Sequence, residues 1–209
     1  QAIYYAVEKG ADVINMSYGG YNNSQIEEDA LAVAFGQAVL VAAAGNDGIP
    51  NEGACLGAPM YPAAHNWIIG VMAGTIKQDK DTGTTKFGLA KFSNKECIPH
   101  NRFEYEIILP GVDIMSTLPS DQYAAWDGTS MAAPVASGMA VLLRSKWADK
   151  DVYSSRFIMG QLVANNGNLL AAMTKAPEPE LRYLEHWLFD REAEAAGNDG
   201  DGIVDNGET

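Results

Sequence analysis

Short apolar runs alternate with amphipathic stretches from the start of the chain. The runs DVINMS (12–17) and AVLVAAA (38–44) have the length and apolar content of strands in a buried parallel sheet. Helical patterns cover 1–9 and 24–36, and the second of these opens with the Ser-x-x-Glu spacing of a capping box. The order helix, strand, helix, strand predicts an α/β unit built on a parallel sheet.

The same alternation continues, with less regular spacing, over the rest of the chain. The remaining predicted elements are strands over 67–74 and 104–111, exposed loops or hairpins over 76–86 and 120–128, and helices over 130–147, 152–164 and 181–196. The helix over 130–147 carries a face of alanine and glycine, which lets it pack closely against a sheet or another helix. The predicted fold class is therefore α/β, a mostly parallel sheet flanked by helices.

The chain divides by composition into three parts. Residues 1–174 carry the α/β domain, 175–196 a stiff Pro-containing connector and the last predicted helix, and 197–209 an acidic tail. The first residues already have the pattern of a helix end, so we expect the domain to be incomplete at its N-terminus. We expect the missing N-terminal part to belong to the same, longer protein.

Charge and cysteine content limit the possible partners. The formal charge is −13, from 14 basic and 27 acidic residues, and the sequence has no basic cluster that would displace phosphate counterions. Nucleic acid is therefore not an expected partner, and no apolar run is long enough to span a bilayer. Cys55 and Cys97 fit no zinc pattern. The sequence is compatible with a disulfide between them and equally with two free thiols.

The stretch DGTSMAAP (127–134) places a serine where a loop containing glycine meets an alanine-rich helix. Free N–H groups and the positive end of the dipole at a helix N-terminus favour developing negative charge. Ser130 is therefore a candidate nucleophile, and its small neighbours would let a substrate backbone approach. The simpler alternative is that Ser130 only caps the helix.

Two loops follow the first two predicted strands, at the sheet edge where α/β proteins bind ligands. Asn46, in AAAGNDG (42–48), offers side-chain N–H groups that could hold the oxyanion of a tetrahedral intermediate. The backbone of SYGG (17–20) could pair with an extended peptide. Taken alone, each loop is more simply explained, one as a turn asparagine and the other as a strand-to-helix turn.

Together these segments resemble the subtilisin-like serine proteases, or subtilases. GTSMAAPVASG is similar to the family's nucleophile motif, AAAGNDG to its oxyanion segment, and ADVINMSYGG to the strand and loop beside the cleaved residue. YPAAHNWIIGV and LPGVDIMSTLP resemble two further family segments in the same order. The resemblance covers residues 1 to about 170. It implies a three-layer α/β fold and a serine endopeptidase, secreted or at the cell surface, that acts on polypeptides.

The resemblance also implies roles for particular residues. Ser130 would be acylated, Asn46 and the Ser130 N–H would hold the oxyanion, and Pro62 would follow a cis peptide bond. The substrate-binding residues implied by the same motifs are Ser17, Tyr18, Gly19, Gly20, Ala43, Ala44, Gly45 and Thr129.

One part of the family pattern is missing from the sequence. The family order is Asp, His, Ser, and the Asp and His segments would come before residue 1. His65, His100 and His186 match no base motif, and neither Asp12 nor Asp127 matches the triad aspartate. We therefore expect this chain alone to be essentially inactive. A non-catalytic, subtilase-like peptide-binding or interaction module is the alternative, and the lack of a G-x-S-x-G motif disfavours an esterase.

The acidic tail approaches the sequence of an EF-hand calcium loop. The residues that fall on ligand positions are Asp199, Asp201, Asp205 and Glu208. Gly197 stands at the first position, where it offers no side-chain ligand. A structural Ca²⁺ site and a flexible acidic linker are therefore both open.

Overall fold

The computed structural model describes residues 1–48, 59–78, 83, 85–95 and 105–174, which all lie within one compact unit. Within these residues the elements are, in chain order, α1 (Ala2–Glu8), β1 (Val13–Met16), α2 (Gln25–Phe35), β2 (Val39–Ala43), β3 (Ile69–Gln78), β4 (Thr85–Leu89), β5 (Ile107–Pro110), β6 (Ile114–Leu118), β7 (Gln122–Trp126), α3 (Thr129–Lys146), α4 (Ser155–Ala164) and α5 (Leu169–Thr174).

The main sheet is mostly parallel, as the sequence pattern predicts. Strand β2 lies between β1 and β3 and is parallel to both, and β5 is parallel to β3, with Val71 opposite Ile107. Only β4 runs antiparallel in this sheet of described strands, and it forms a hairpin with the second half of β3. Strands β6 and β7 form a separate antiparallel hairpin.

Side chains of β2 alternate between two apolar layers. Val39 and Val41 belong to the core cluster shared with α3, α4 and α5, whereas Leu40 and Ala42 belong to the cluster shared with α2. All five residues of β2 are buried, which is the pattern of a strand covered on both faces. The described chain is therefore a three-layer α/β structure, with helices on both sides of the sheet.

Helix α3 crosses the sheet on its smallest side chains. Ala132, Ala133, Ala136 and Ala140 are each fully buried. Their methyl groups let the helix backbone approach β2, β3 and β5 closely, so the start of α3 packs directly against the sheet.

Several boundaries differ from the sequence predictions. Strand β3 continues to Gln78 because its second half pairs with β4, so the predicted hairpin over 76–86 begins inside a longer strand. Helix α4 begins at Ser155 rather than 152, since Ser154 caps it by accepting a hydrogen bond from the Phe157 N–H. The short helix α5 was not predicted. The helix predicted over 181–196 lies outside the described residues.

No helix in the described ranges combines the length and apolar character needed to cross a membrane.

Candidate active site

The carboxyl ends of three parallel strands and the N-terminus of α3 meet at one edge of the sheet. Ser17 directly follows β1, and Asn46 lies shortly after β2. Gly111 directly follows β5, and its carbonyl accepts a 2.8 Å hydrogen bond from the Gly128 N–H at the start of α3. The loops after β1 and β2, which the sequence marked separately, therefore lie beside the same helix end.

Ser130 is tied to the segment after β1 by two reciprocal hydrogen bonds. Its Oγ donates to the Ser17 carbonyl at 3.1 Å, and Ser17 Oγ donates to the Ser130 carbonyl at 2.9 Å. Pro134 explains why that carbonyl is available, because proline has no N–H to donate back to the residue four positions earlier in a helix. The N-cap of α3 is Gly128, so the alternative in which Ser130 merely caps the helix does not describe this structure.

Asn46 is oriented by Thr129. The Asn46 Oδ1 accepts hydrogen bonds from both the N–H and the Oγ1 of Thr129, each 2.9 Å long. Because Thr129 holds the Asn46 Oδ1, the Nδ2 group at the other end of the amide points away from Thr129. A Cβ built on Gly128 would lie 3.5 Å from Asn46 Nδ2 and 3.6 Å from the Ser130 nitrogen. The Asn46 amide nitrogen and the Ser130 nitrogen therefore both lie beside Gly128, so the two donors named in the oxyanion prediction come from the same place in the fold.

Thr129 also connects α3 to the segment after β2. Its fully buried Oγ1 accepts a 3.1 Å hydrogen bond from the Gly45 N–H. Gly45 has φ +103°, a backbone conformation that side chains rarely adopt, and its carbonyl accepts from the Asn94 N–H at 2.9 Å. The Ala44 N–H donates to the Val71 carbonyl. In the predicted substrate-binding segment 43–45, the Ala44 N–H, the Gly45 N–H and the Gly45 carbonyl are therefore all hydrogen-bonded within the protein.

The segment 17–20 directly follows β1, and its last residue pairs with Tyr61. Gly20 exchanges two backbone hydrogen bonds with Tyr61, at 2.8 and 2.7 Å. The Tyr18 ring is exposed, and its hydroxyl donates to Glu27 Oε1 at 2.9 Å. Partial burial, together with this hydrogen bond and the charge of Glu27, raises the pKa of Tyr18 to about 12. The sequence suggested Glu27 only as part of a capping box, and its carboxylate instead holds Tyr18.

A polar network borders Asn46 that sequence reasoning did not find. The buried Asn94 accepts from the Asp47 N–H at 3.0 Å and donates to the Tyr21 hydroxyl at 3.1 Å, and that hydroxyl donates to Asp47. Burial, and then the Asp47 carboxylate, raise the pKa of Tyr21. Asn94 comes from a distant part of the chain, so no local pattern indicates this contact.

The described histidine and aspartates have structural partners. His65 is buried and stacks against Trp67, with ring centroids 5.1 Å apart, and burial lowers its pKa despite the opposing charges of Glu28 and Glu27. Asp12 lies 2.6 Å from Lys150 Nζ, and Asp127 accepts from the Asp113 N–H.

Other predicted groups fall outside the described residues. These are His100, His186, Cys55, Cys97, Asp199, Asp201, Asp205 and Glu208. Within the ranges that are described, no three His, Cys, Asp or Glu side chains come together as metal ligands. The predicted cis bond before Pro62 is confirmed.

Comparison with known proteins gives a consistent result. Residues 1–175 match the sequence profile of the subtilase family. Subtilisin DY of Bacillus licheniformis is 34% identical over 167 residues, which cover 79% of this chain and 54% of that protein. The major intracellular serine protease of Bacillus subtilis (strain 168) is 38% identical over 144 residues, covering 68% of this chain and 40% of that protein.

The structure of the prenylagaramide maturation protease PagA is similar in fold. It aligns with a TM-score of 0.61 and 25% identity, over 82% of this chain and 64% of that one. The chain spans about half of Subtilisin DY and less than half of the intracellular protease.

Proposed function

Because this chain belongs to the subtilase family, we propose that it forms the nucleophile and oxyanion part of a serine endopeptidase. Ser130 would attack the carbonyl of the cleaved peptide bond, and Asn46 Nδ2 with the Ser130 N–H would hold the oxygen that becomes negative. The observation that carries the proposal is that the Asn46 amide nitrogen and the Ser130 nitrogen both lie beside Gly128, at the helix end that carries the Ser130 hydroxyl.

Acylation requires the Ser130 proton to move to a base, and then to the leaving amine as the peptide C–N bond breaks. The described group that accepts the hydrogen bond of the Ser130 hydroxyl is the Ser17 backbone carbonyl, which cannot act as this base. The subtilase pattern assigns the role to a histidine held by an aspartate. We therefore propose that these two residues act together with this chain, and that the chain by itself hydrolyses peptides at a negligible rate.

A fluorophosphonate probe tests this proposal on the full-length protein. The probe should label the wild type, fail to label Ser130→Ala, and label Asn46→Ala more slowly. The expected loss is about a hundredfold or more, which is the size of the effect known for the oxyanion asparagine of subtilisin itself. Ser145→Ala, on the exposed side of α3, is the matched control and should label normally. Equal labelling of Ser130→Ala would refute the assignment of the nucleophile.

The 209-residue chain alone should not cleave an unfolded protein. Robust cleavage that disappears in Ser130→Ala would show that the chain holds a complete catalytic apparatus.

A second candidate, a peptide-binding module without chemistry, is favoured by the hydrogen bond between Ser130 and the Ser17 carbonyl. Peptide binding by a full-length protein that no fluorophosphonate labels would establish this second function instead.

We also propose that the acidic tail binds Ca²⁺ through Asp199, Asp201, Asp205 and Glu208. Carboxylates at these spacings suit a hard divalent cation. A calcium titration followed by NMR of the tail should show saturable shifts in the wild type and none in the double variant Asp201→Asn, Asp205→Asn. Unchanged tail signals at millimolar calcium would indicate a flexible acidic linker.

An exported location is likewise a proposal. The curated relatives include a protease named intracellular as well as subtilisins. A disulfide between Cys55 and Cys97 in the protein isolated from its source, detected by mass spectrometry without reduction, would support an oxidising compartment. Two free thiols together with recovery from the cytosolic fraction would contradict it.

A further inference from the structure

The turn that carries Asn46 is attached on both sides to one buried asparagine, Asn94. The Gly45 carbonyl accepts a 2.9 Å hydrogen bond from the Asn94 N–H. The Asp47 N–H donates to Asn94 Oδ1 at 3.0 Å. Asn94 therefore contacts the residue before Asn46 through its backbone and the residue after Asn46 through its side chain.

Asn94 is in turn attached to the main sheet. It is only 3% exposed, and its carbonyl accepts a 2.8 Å hydrogen bond from Ser93 Oγ. The same Ser93 Oγ accepts from the Ala73 N–H of β3 at 3.0 Å. The neighbouring Phe92 carbonyl accepts from the Gly48 N–H at 2.7 Å, at the far end of the turn. Moving the turn relative to β3 would break these hydrogen bonds, and leaving buried polar groups unpaired is costly.

The other end of the Asn94 side chain is held by Tyr21. Asn94 Nδ2 donates to the Tyr21 hydroxyl at 3.1 Å, and that hydroxyl donates to the Asp47 carboxylate. Because Tyr21 takes the Nδ2 group, Asn94 presents its Oδ1 to the Asp47 N–H. Tyr21 belongs to the loop after β1, so this network connects that loop to the turn after β2.

Asn94 and Thr129 act on different parts of Asn46. Thr129 binds the Oδ1 of its side chain, whereas Asn94 binds the residues on either side of it and so fixes where the side chain starts. A donor stabilises a developing negative charge best when it is already in place before the reaction. Such a donor needs support from the groups behind it. The position of Asn46 Nδ2 therefore depends on Asn94 as well as on Thr129.

We propose that Asn94, oriented by Tyr21, is a positioning residue that holds the turn so that Asn46 Nδ2 meets the developing oxyanion. The inference rests on the proposed function, because it takes the oxyanion role of Asn46 as given. Asn94 acts through Asn46 and not on the reacting atoms. Mutational effects within one such network are not additive, and a double-mutant cycle measures the coupling.

A double-mutant cycle in the full-length protein tests the proposal. Asn94→Ala should slow fluorophosphonate labelling of Ser130, per folded molecule, by about tenfold, because the Asp47 N–H loses its acceptor. In the Asn46→Ala background the same change should slow labelling by less than about twofold, since no amide is left to position. A purely structural role of Asn94 would slow labelling equally in both backgrounds.

Asn165→Ala is the matched control. Asn165 is also a buried asparagine, 9% exposed, and its Nδ2 donates to the Gln161 carbonyl at the end of α4. This variant should lower the thermal unfolding midpoint but leave labelling per folded molecule unchanged. If Asn94→Ala does not fold, the half-buried Tyr21 takes its place in the cycle. Tyr21→Phe removes only the hydroxyl that orients Asn94, and it should slow labelling by about threefold, again only when Asn46 is present.

The outcomes separate this inference from the proposed function. Wild-type labelling by folded Asn94→Ala, or equal slowing with and without Asn46, overturns the positioning role. The proposed function stands in both cases as long as Ser130 is labelled and Asn46→Ala is slow. If the full-length protein is not labelled at Ser130, or if Asn46→Ala labels at the wild-type rate, the oxyanion assignment and the positioning role are both refuted.

Discussion

The orientation of a single amide determines what the candidate site can do. Ser130 and Asn46 were identified in the sequence because their motifs are local and long. The orientation of Asn46 was not, since its Oδ1 is held by Thr129, a residue 83 positions away. The availability of the Ser130 carbonyl for Ser17 could have been inferred, because Pro134 stands four residues after Ser130 and lacks an N–H.

Thr129→Val should weaken both the oxyanion site and the fold. The substitution keeps the side-chain shape but removes the hydroxyl that donates to Asn46 and accepts from the buried Gly45 N–H. We expect a loss of about 1–3 kcal/mol in the free energy of unfolding, from the unsatisfied groups. We also expect fluorophosphonate labelling per folded molecule of full-length protein to be about tenfold slower. Thr129→Ser, which keeps the hydroxyl, should behave like the wild type, and equal labelling rates in both variants would contradict this role.

Tyr18 should make stability fall in alkaline solution. The pKa of an unperturbed tyrosine is 10.0, whereas that of Tyr18 in the folded protein is about 12, so the folded state holds the phenolic proton more tightly. The resulting stabilisation is complete below pH 10 and is lost as the pH rises through about 12. Ultraviolet titration of tyrosinate should show late-titrating absorbance to which Tyr18 and Tyr21 both contribute, and Tyr18→Phe should remove only the Tyr18 part.

Glu27→Gln provides the test of the cause. Removing the carboxylate that accepts from the Tyr18 hydroxyl should lower the pKa of Tyr18. Glu28→Gln is the control, because Glu28 accepts from Asn23 instead. If both variants leave the late titration unchanged, Glu27 does not perturb Tyr18.

At the scale of elements, local patterns predicted the type of structure well and its boundaries less well. Ser24 caps α2 as predicted, by accepting from the Glu27 N–H, but the Glu27 side chain turns to Tyr18 rather than completing the capping box. Strand β3 extends beyond its apolar run because pairing with β4 satisfies its backbone. Such pairing depends on a partner strand, so the composition of one segment cannot predict it.

Helix α3 allows a direct test of why its sequence is so rich in alanine. Ala136 is fully buried against the sheet, so Ala136→Leu should cost about 1–3 kcal/mol through overpacking. Gly138→Ala, on the exposed side of the same helix, should raise the free energy of unfolding by about 0.5–1 kcal/mol, because alanine favours the helix over glycine. The added Cβ meets no heavy atom within 4 Å. Urea denaturation of both variants measures the two effects. Similar stability changes would show that α3 does not pack through its alanine face.

The 209-residue chain carries a formal charge of −13, which should act on association rather than on the fold. We expect peptides flanked by lysine to associate faster with the full-length protein than matched peptides flanked by glutamate, by about tenfold at low salt. The difference should largely disappear near 1 M salt, where the screening length is about 3 Å. Stopped-flow association rates at both salt concentrations measure this. A difference that persists at high salt would point to specific contacts instead.

Several properties followed from the sequence by itself. Periodicity is a local property, so the order of helices and strands, the parallel sheet and its buried central strand could be predicted from it. The motifs around Ser130 and Asn46, and the proline that follows a cis bond, are also contiguous in the chain. The negative charge requires only counting.

Tertiary structure decided the features that join distant segments. It oriented Asn46 through Thr129, gave Ser130 the Ser17 carbonyl as its partner and brought Asn94 to Asp47. Each of these contacts joins segments that are far apart along the chain. Their geometry depends on how the layers pack against each other, and no pattern within one segment records it.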